Sequence, residues 1–196
     1  MRDPFREGLA AGWKHVDASQ LAVDLPIEAD VVIIGSGAGG GVTAEILTAN
    51  GLKVVIVEEG PLRTSSDFKM REAEAYPDLY QESAARKTAD KSINILQGRC
   101  VGGSTTVNWT SSFRTPPRTL QWWQSAWGLK RLGVDAMAPW FAAMEQRLHV
   151  GLWPIPPNEN NAALARGAAQ LGIPVAVMRR NIKMCWNLGY CGMGCP

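Results

Sequence analysis

The clearest pattern along the chain is a pair of short apolar blocks framing a glycine cluster and a helical repeat. Val31, Val32, Ile33 and Ile34 are contiguous β-branched residues without alternation, which predicts a strand buried on both faces. Gly35, Gly37 and Gly40 follow at once. Beyond them Val42, Ile46 and Ala49 recur at helical spacing, with Ala44 and Leu47 beside them. Asn50-Gly51 supplies a helix stop, because both residues tolerate left-handed backbone angles. Residues 54–57 form a second buried block, with Glu58 at its carboxyl end. The expected unit is β-α-β.

Patterning elsewhere is weaker. Phe5, Leu9 and Trp13 fall at four-residue intervals and predict a short amphipathic helix within an amino-terminal arm, residues 1–29. Residues 30–196 form the main domain, with mostly helical excursions expected at 61–92 and 118–172. In the first excursion Ser66 or Asp67 is a candidate cap for a helix over Phe68 to Tyr76, ended by Pro77. Gln81 to Lys87 has room for another turn or two. In the second, Leu120, Trp123 and Trp127 stack on a helix from Thr119, stopped by Gly128. Met137, Trp140, Phe141, Met144 and Leu148 make the core face of another over Val134 to His149. A third runs from Asn158 through Leu171 to Gly172, and Val175 to Met178 reads as a strand.

Composition narrows the class. The 196 residues suit one domain or a little more, and 46% hydrophobic with 19% charged content is ordinary for a soluble globular protein. A net charge of +2 gives no case for a nucleic-acid partner. The first residues carry charges throughout without an apolar core, and no apolar run approaches the ~20 residues of a membrane span. A cytoplasmic protein without a membrane span is expected. Four cysteines in such a chain argue for reduced thiols or a metal site over a disulfide framework. Eight tryptophans, most of them late, read as core packing. His15 reads as a surface residue, and His149 as a group at a helix end.

The glycines then acquire a chemical meaning. Their spacing is G-x-G-x-x-G, directly after a strand and opening a helix. Gly35 permits the tight turn, Gly37 lets a pyrophosphate approach the backbone, and Gly40 lets helix and strand pack closely. Glu58, roughly 20 residues on, can accept hydrogen bonds from ribose hydroxyls. A carboxylate there disfavours NADP and leaves NAD and FAD open. A second cluster, Gly98 and Gly102-Gly103, precedes Ser104, Thr105, Thr106 and Asn108. Exposed amides beside hydroxyls suit a cofactor with a second ring system at its far end.

DVVIIGSGAGGGVTAEIL, VVIVEEG and GRCVGGSTTVNW together resemble the amino-terminal part of the glucose–methanol–choline (GMC) family of FAD-dependent oxidoreductases. The resemblance fixes the register from Asp30 to about Pro117. It implies an α/β fold class: a Rossmann-like FAD-binding domain, incomplete, with the beginning of a substrate-domain excursion. Gly35, Ser36, Gly37, Ala38 and Gly40 would hold the pyrophosphate, and Glu58 the adenosine ribose. Gly102, Gly103, Ser104 and Asn108 would line the flavin side. Some members attach FAD through a histidine immediately before the asparagine; Val107 stands there, so a non-covalent flavin is expected.

The implied function is oxidation of an alcohol CH–OH group by hydride transfer to flavin, with oxygen, a quinone or a cytochrome as candidate electron acceptors. Family chains are well over twice as long and carry the catalytic histidine in their later half. No catalytic residue is therefore expected here, and the chain reads as a fragment inactive by itself. A flavoprotein of another reaction class, or a non-catalytic nucleotide-binding or electron-transfer module, are the alternatives. Cys185, Cys191 and Cys195, ahead of Pro196, end like a ferredoxin cluster run but lack its C-x₂-C spacing. Free thiols in a glycine-rich turn are the preferred reading and an iron–sulfur cluster the alternative, with no metal site assigned. Cys100, in the second glycine loop, is a poor fourth ligand.

Overall fold

The structure, a computed structural model, describes residues 3–195. It has two compact units, one running to Trp109 and resuming at Leu188, the other Thr110–Asn187.

In the first unit, α1 (Pro4–Ala10) starts where Asp3 Oδ1 accepts hydrogen bonds from the Phe5 and Arg6 amides, at 3.0 and 3.2 Å. Helix α1 stops short of Trp13. Gly12, at φ +97°, reverses the chain, and the Trp13 ring returns over Gly8 to meet Phe5 edge-on at 6.2 Å. The predicted stripe thus closes through a turn instead of a longer helix. Asp3 Oδ2 accepts from the Ser65 amide and hydroxyl, both at 2.7 Å, which ties the arm to the residues after the sheet.

Strands β1 (Val31–Ile34) and β2 (Val54–Val57) pair in parallel, Val31 opposite Val54 through Ile34 opposite Val57. The crossover is α2 (Ala38–Ala49), closed by Asn50 and by Gly51 at φ +86°. Burial on both strand faces does not occur. Val31 and Ile33 are half-buried, whereas Val32 is 60% and Ile34 90% exposed. The cause is one-sided cover: α2 packs on the face that carries Ile33.

Helix α3 (Glu72–Leu79) begins later than predicted and runs past Pro77. Asp67 does not cap it; its Oδ2 accepts instead from the Thr64 amide at 2.7 Å. The helix tolerates an internal proline because Ala75 and Leu79 on one face are buried, and Glu72 and Glu74 suit its amino-terminal dipole. Next, Glu82 (φ 51°, ψ 36°), Ser83 (φ 52°, ψ 41°) and Ala84 (φ 66°) make a left-handed turn without a glycine, each residue costing about 1–2 kcal/mol. The core of this unit is Ala75, Leu79, Tyr80, Cys100 and Val107, with Phe68, Tyr76, Ala84 and Met193 packed on it. It lies between α3 and the second glycine loop, away from the sheet.

The second unit holds α4 (Pro117–Trp127), α5 (Val134–Arg147), β3 (Val150–Leu152), α6 (Glu159–Gln170) and β4 (Arg179–Asn181). Pro117 opens α4, and Gly128 at φ +64° ends it. Asn158 caps α6 by accepting from the Asn161 amide at 2.9 Å, and Gly172 follows the helix at φ +68°. The strand expected at Val175 to Met178 lies further on, at β4, where antiparallel pairing of Val150 with Asn181 fixes it. Tryptophan as core filling fails in part. Leu120 is buried and Trp123, Met137 and Phe141 are half-buried, but Trp127, Trp140, Met144 and Leu148 are exposed, so the carboxyl-terminal ends of the stripes on α4 and α5 stay uncovered within the unit. Among the described residues no helix is long and apolar enough to cross a membrane.

Leu79→Ala empties a fully enclosed site and should cost about 2–5 kcal/mol of stability in urea unfolding. Leu164→Ala, on an exposed face of α6, should stay within about 0.5 kcal/mol. Equal effects would mean that the core is misplaced.

Candidate functional site

The site begins where β1 ends. The Gly35 amide extends the ladder by donating to the Val57 carbonyl at 2.8 Å, and at φ +89° the chain turns towards α2. At Gly40 a Cβ would enter the Gly35 carbonyl and come within 3.3 Å of Ile33 Cγ2, so only glycine lets the helix sit this close to the strand. Gly37 differs from both. It is the amino-terminal cap of α2, makes no side-chain cap, has an ordinary φ of −64°, and a Cβ there would meet nothing within 4 Å. The first-turn amides after Gly37, including that of Ala38, therefore border open space, the arrangement that accepts a pyrophosphate.

Glu58 closes the turn from behind. Its Oε2 accepts from the Ser36 amide at 2.8 Å and the Ser36 hydroxyl at 2.6 Å, and its Oε1 from the Gly60 amide at 2.9 Å. Burial opposes its ionisation. The Ser36 hydroxyl and amide and the Gly60 amide outweigh that cost and hold the carboxyl below the usual carboxylate range. A carboxylate has about four lone-pair positions, so acceptor capacity for a ribose hydroxyl is left over.

The second glycine loop docks on the first. Ser36 Oγ accepts from the Gly102 amide at 2.9 Å, which makes this hydroxyl the joint between the two loops and Glu58. Gly102 and Gly103 sit at φ +93° and +54°, and a Cβ on Gly103 would lie 3.0 Å from Gly37 Cα. The loops meet backbone to backbone. Ser104 Oγ accepts from the Gly98 amide at 2.9 Å and keeps its own proton to donate. Asn108 Nδ2 donates to the Thr105 carbonyl at 2.8 Å. The structure thus brings Gly35, Ser36, Gly37, Ala38, Gly40, Glu58, Gly102 and Gly103 together through the contacts of the two loops, with Ser104 and Asn108 on the same second loop.

Two groups behind this loop matter. Burial pushes the Cys100 thiol up, so it packs as a small hydrophobe. Burial also pushes the Tyr80 phenol up to about 12. The Tyr80 hydroxyl donates to the Val107 carbonyl at 3.2 Å and to the Gly192 carbonyl. Sequence reasoning missed Tyr80 because its partners stand 27 and 112 residues away, beyond any local spacing.

Among the described residues no three His, Cys, Asp or Glu side chains are placed to hold a metal ion. Cys185 is exposed and its sulfur accepts from the Asn187 amide at 3.3 Å, while Cys191 opens the turn to Met193. Cys185 belongs to one unit and Cys191 and Cys195 to the other, and Pro196 lies outside the described residues. His15 and His149 are both exposed.

A family described as GMC oxidoreductase matches residues 76–196, and one described as FAD binding domain matches residues 30–70. A long-chain-alcohol oxidase of Arabidopsis thaliana is 33% identical over 87% of this chain and 24% of its own length. An uncharacterized GMC-type oxidoreductase of Mycobacterium tuberculosis is 33% identical over 99% of the chain and 33% of its own length. The chain spans between 22% and 35% of the length of the curated relatives it matches. The crystal structure of pyridoxine 4-oxidase from Mesorbium loti superposes with a TM-score of 0.62 at 23% identity, covering 80% of this chain and 37% of that one, which shows a shared fold.

The Glu58 hydrogen bonds carry a pH signature. Because its folded pKa is depressed, its stabilisation is complete above the unfolded carboxylate value of about 4.3 and disappears as pH falls through the folded value. Glu58→Gln removes that titration. The stability gap between wild type and variant, followed by denaturant unfolding from pH 7 to pH 3, should narrow on acidification. A constant gap would mean that Glu58 is not held as described.

Proposed function

The chain belongs to the GMC oxidoreductase family, and we propose on that footing that it forms the FAD-binding part of an enzyme oxidising the CH–OH group of a small-molecule alcohol. One observation carries this reading: the contact of Gly103 with Gly37, locked through Ser36 and Glu58, which joins a pyrophosphate-type turn to a second polar loop. A simple nicotinamide site needs only the first of these.

In this reading the first-turn amides of α2 take the pyrophosphate, and the remaining acceptor position of Glu58 takes a ribose hydroxyl. Ser104 directs a hydroxyl proton, and the Gly102-Gly103 backbone allows close approach, on the flavin side. Bound FAD would supply the hydride-accepting chemistry of the reaction. The chain's own residues bind, orient and fix its position. Val107 offers no group to bond to a flavin and is packed in the core, which supports non-covalent binding. The long-chain-alcohol oxidase relatives support an alcohol as substrate class.

Four measurements test this. The purified protein should show a flavin absorbance spectrum, and acid precipitation should release the flavin into the supernatant; flavin retained in the pellet would exclude non-covalent binding. Gly37→Ala should fold normally, since φ and space both permit a methyl group, yet bind FAD about tenfold or more weakly as the phosphates lose their approach. Glu58→Ala should weaken FAD binding by about 1.5–3 kcal/mol, and an unchanged affinity would remove the ribose role. Under anaerobic conditions primary alcohols should bleach the flavin of the complete enzyme, and a flavin that no alcohol reduces would sink the proposed reaction.

A further inference from the structure

We propose that Tyr80 is a positioning residue that sets the flavin-side loop, acting through Val107 on Asn108, and couples that loop to the turn at Cys191–Met193. The proposal rests on the flavin reading above for its functional meaning. Its geometry is independent of that reading.

Tyr80 holds both ends of the loop. At the start, its backbone forms an antiparallel bridge with Gly98, flanked by the Gln81 amide donating to the Gln97 carbonyl at 2.9 Å and the Arg99 amide to the Leu79 carbonyl at 2.6 Å. At the finish, its hydroxyl reaches the Val107 carbonyl, one residue ahead of Asn108. The same hydroxyl reaches the Gly192 carbonyl. A phenol carries one proton, so the two carbonyls share it, and a change at either alters the bond to the other.

The surroundings keep the arrangement fixed. Tyr80 is 2% exposed, and Tyr76 meets its ring edge-on at 5.4 Å. With its pKa raised by burial, the phenol remains a donor throughout the physiological range. A second contact runs parallel to the first. A Cβ on Gly192 would enter the Trp109 ring, so the Cys191–Met193 turn also presses on the residue directly after Asn108. Asn108 is thus bracketed by Val107, tied to Gly192 through the shared Tyr80 hydroxyl, and by Trp109, whose ring packs on Gly192.

Tyr80→Phe removes the hydroxyl and keeps the ring. In the FAD-loaded protein it should weaken FAD binding about fivefold, the effect of one ordinary hydrogen bond, and move the absorbance bands of the bound flavin. Amide hydrogen exchange should quicken together at residues 106–109 and 191–194. A lowered melting temperature with unchanged affinity, spectrum and exchange would leave Tyr80 a packing residue and overturn the proposal. In the wild-type protein the two segments should open as one unit with equal protection, and unequal protection overturns the coupling whether or not the variant folds. Wild-type protein that binds no FAD overturns the flavin reading and the role towards Asn108. FAD binding with an indifferent Tyr80→Phe removes the Tyr80 proposal alone.

Discussion

A single carboxylate holds the three pieces of the site in register. Glu58 stands at the end of β2, accepts from both polar hydrogens of Ser36 and from the Gly60 amide, and through Ser36 Oγ reaches the Gly102 amide. Strand and first loop are consequently fixed by charge-assisted hydrogen bonds, about twice as strong as neutral ones, and the second loop joins them through the neutral bond from the Gly102 amide to Ser36 Oγ. Side-chain bulk is excluded at the points of contact. A methyl group on Gly40 or Gly103 would separate pieces that the carboxylate pulls together. The two constraints act together, since strong short bonds need backbones that can come close.

Stability is distributed unevenly around this arrangement. The parallel pair carries the glycine turn but buries little, because α2 covers one face and Val32 and Ile34 remain open on the other. The dry part of the unit lies behind the second loop, where Leu79, Cys100 and Val107 pack under Tyr80. The second glycine loop is thus backed by packing, and the first by hydrogen bonding. The left-handed turn at Glu82–Ala84 belongs with this division. Its backbone cost is carried beside the best-packed residues of the unit, where Gln81 is bonded to Gln97.

What could be read from the sequence was whatever is decided within a few residues. β1 and β2 fall on their β-branched blocks, and Gly51, Gly128 and Gly172 follow helix ends with positive φ. The fold class was legible because glycine spacing and strand boundaries reinforce each other. Misreadings arose where partners distant in sequence decide. Pro77 marks no helix end because burial of Ala75 and Leu79 outweighs a lost hydrogen bond. β4 sits beyond the apolar run at Val175 because it pairs with β3. Glu58 was legible as an acid at a strand end, but its bond to Ser36 was not, since a motif specifies positions and leaves hydrogen-bond partners open. The aromatic stripe of α5 illustrates a further limit: periodicity names a face without saying what covers it.

Val107 links packing to chemistry in another way. In the family this chain resembles, the position before the asparagine is where some members carry the histidine that bonds to flavin. Here that side chain is 2% exposed and enclosed by Leu79, Tyr80 and Cys100. An imidazole introduced there would enter an apolar pocket with no partner for its nitrogens, and would have to turn the whole loop over to leave it. A histidine at this position would therefore be opposed by packing before any question of bonding arose. The burial of Val107 makes the side chain here a matter of core stability as much as of cofactor chemistry.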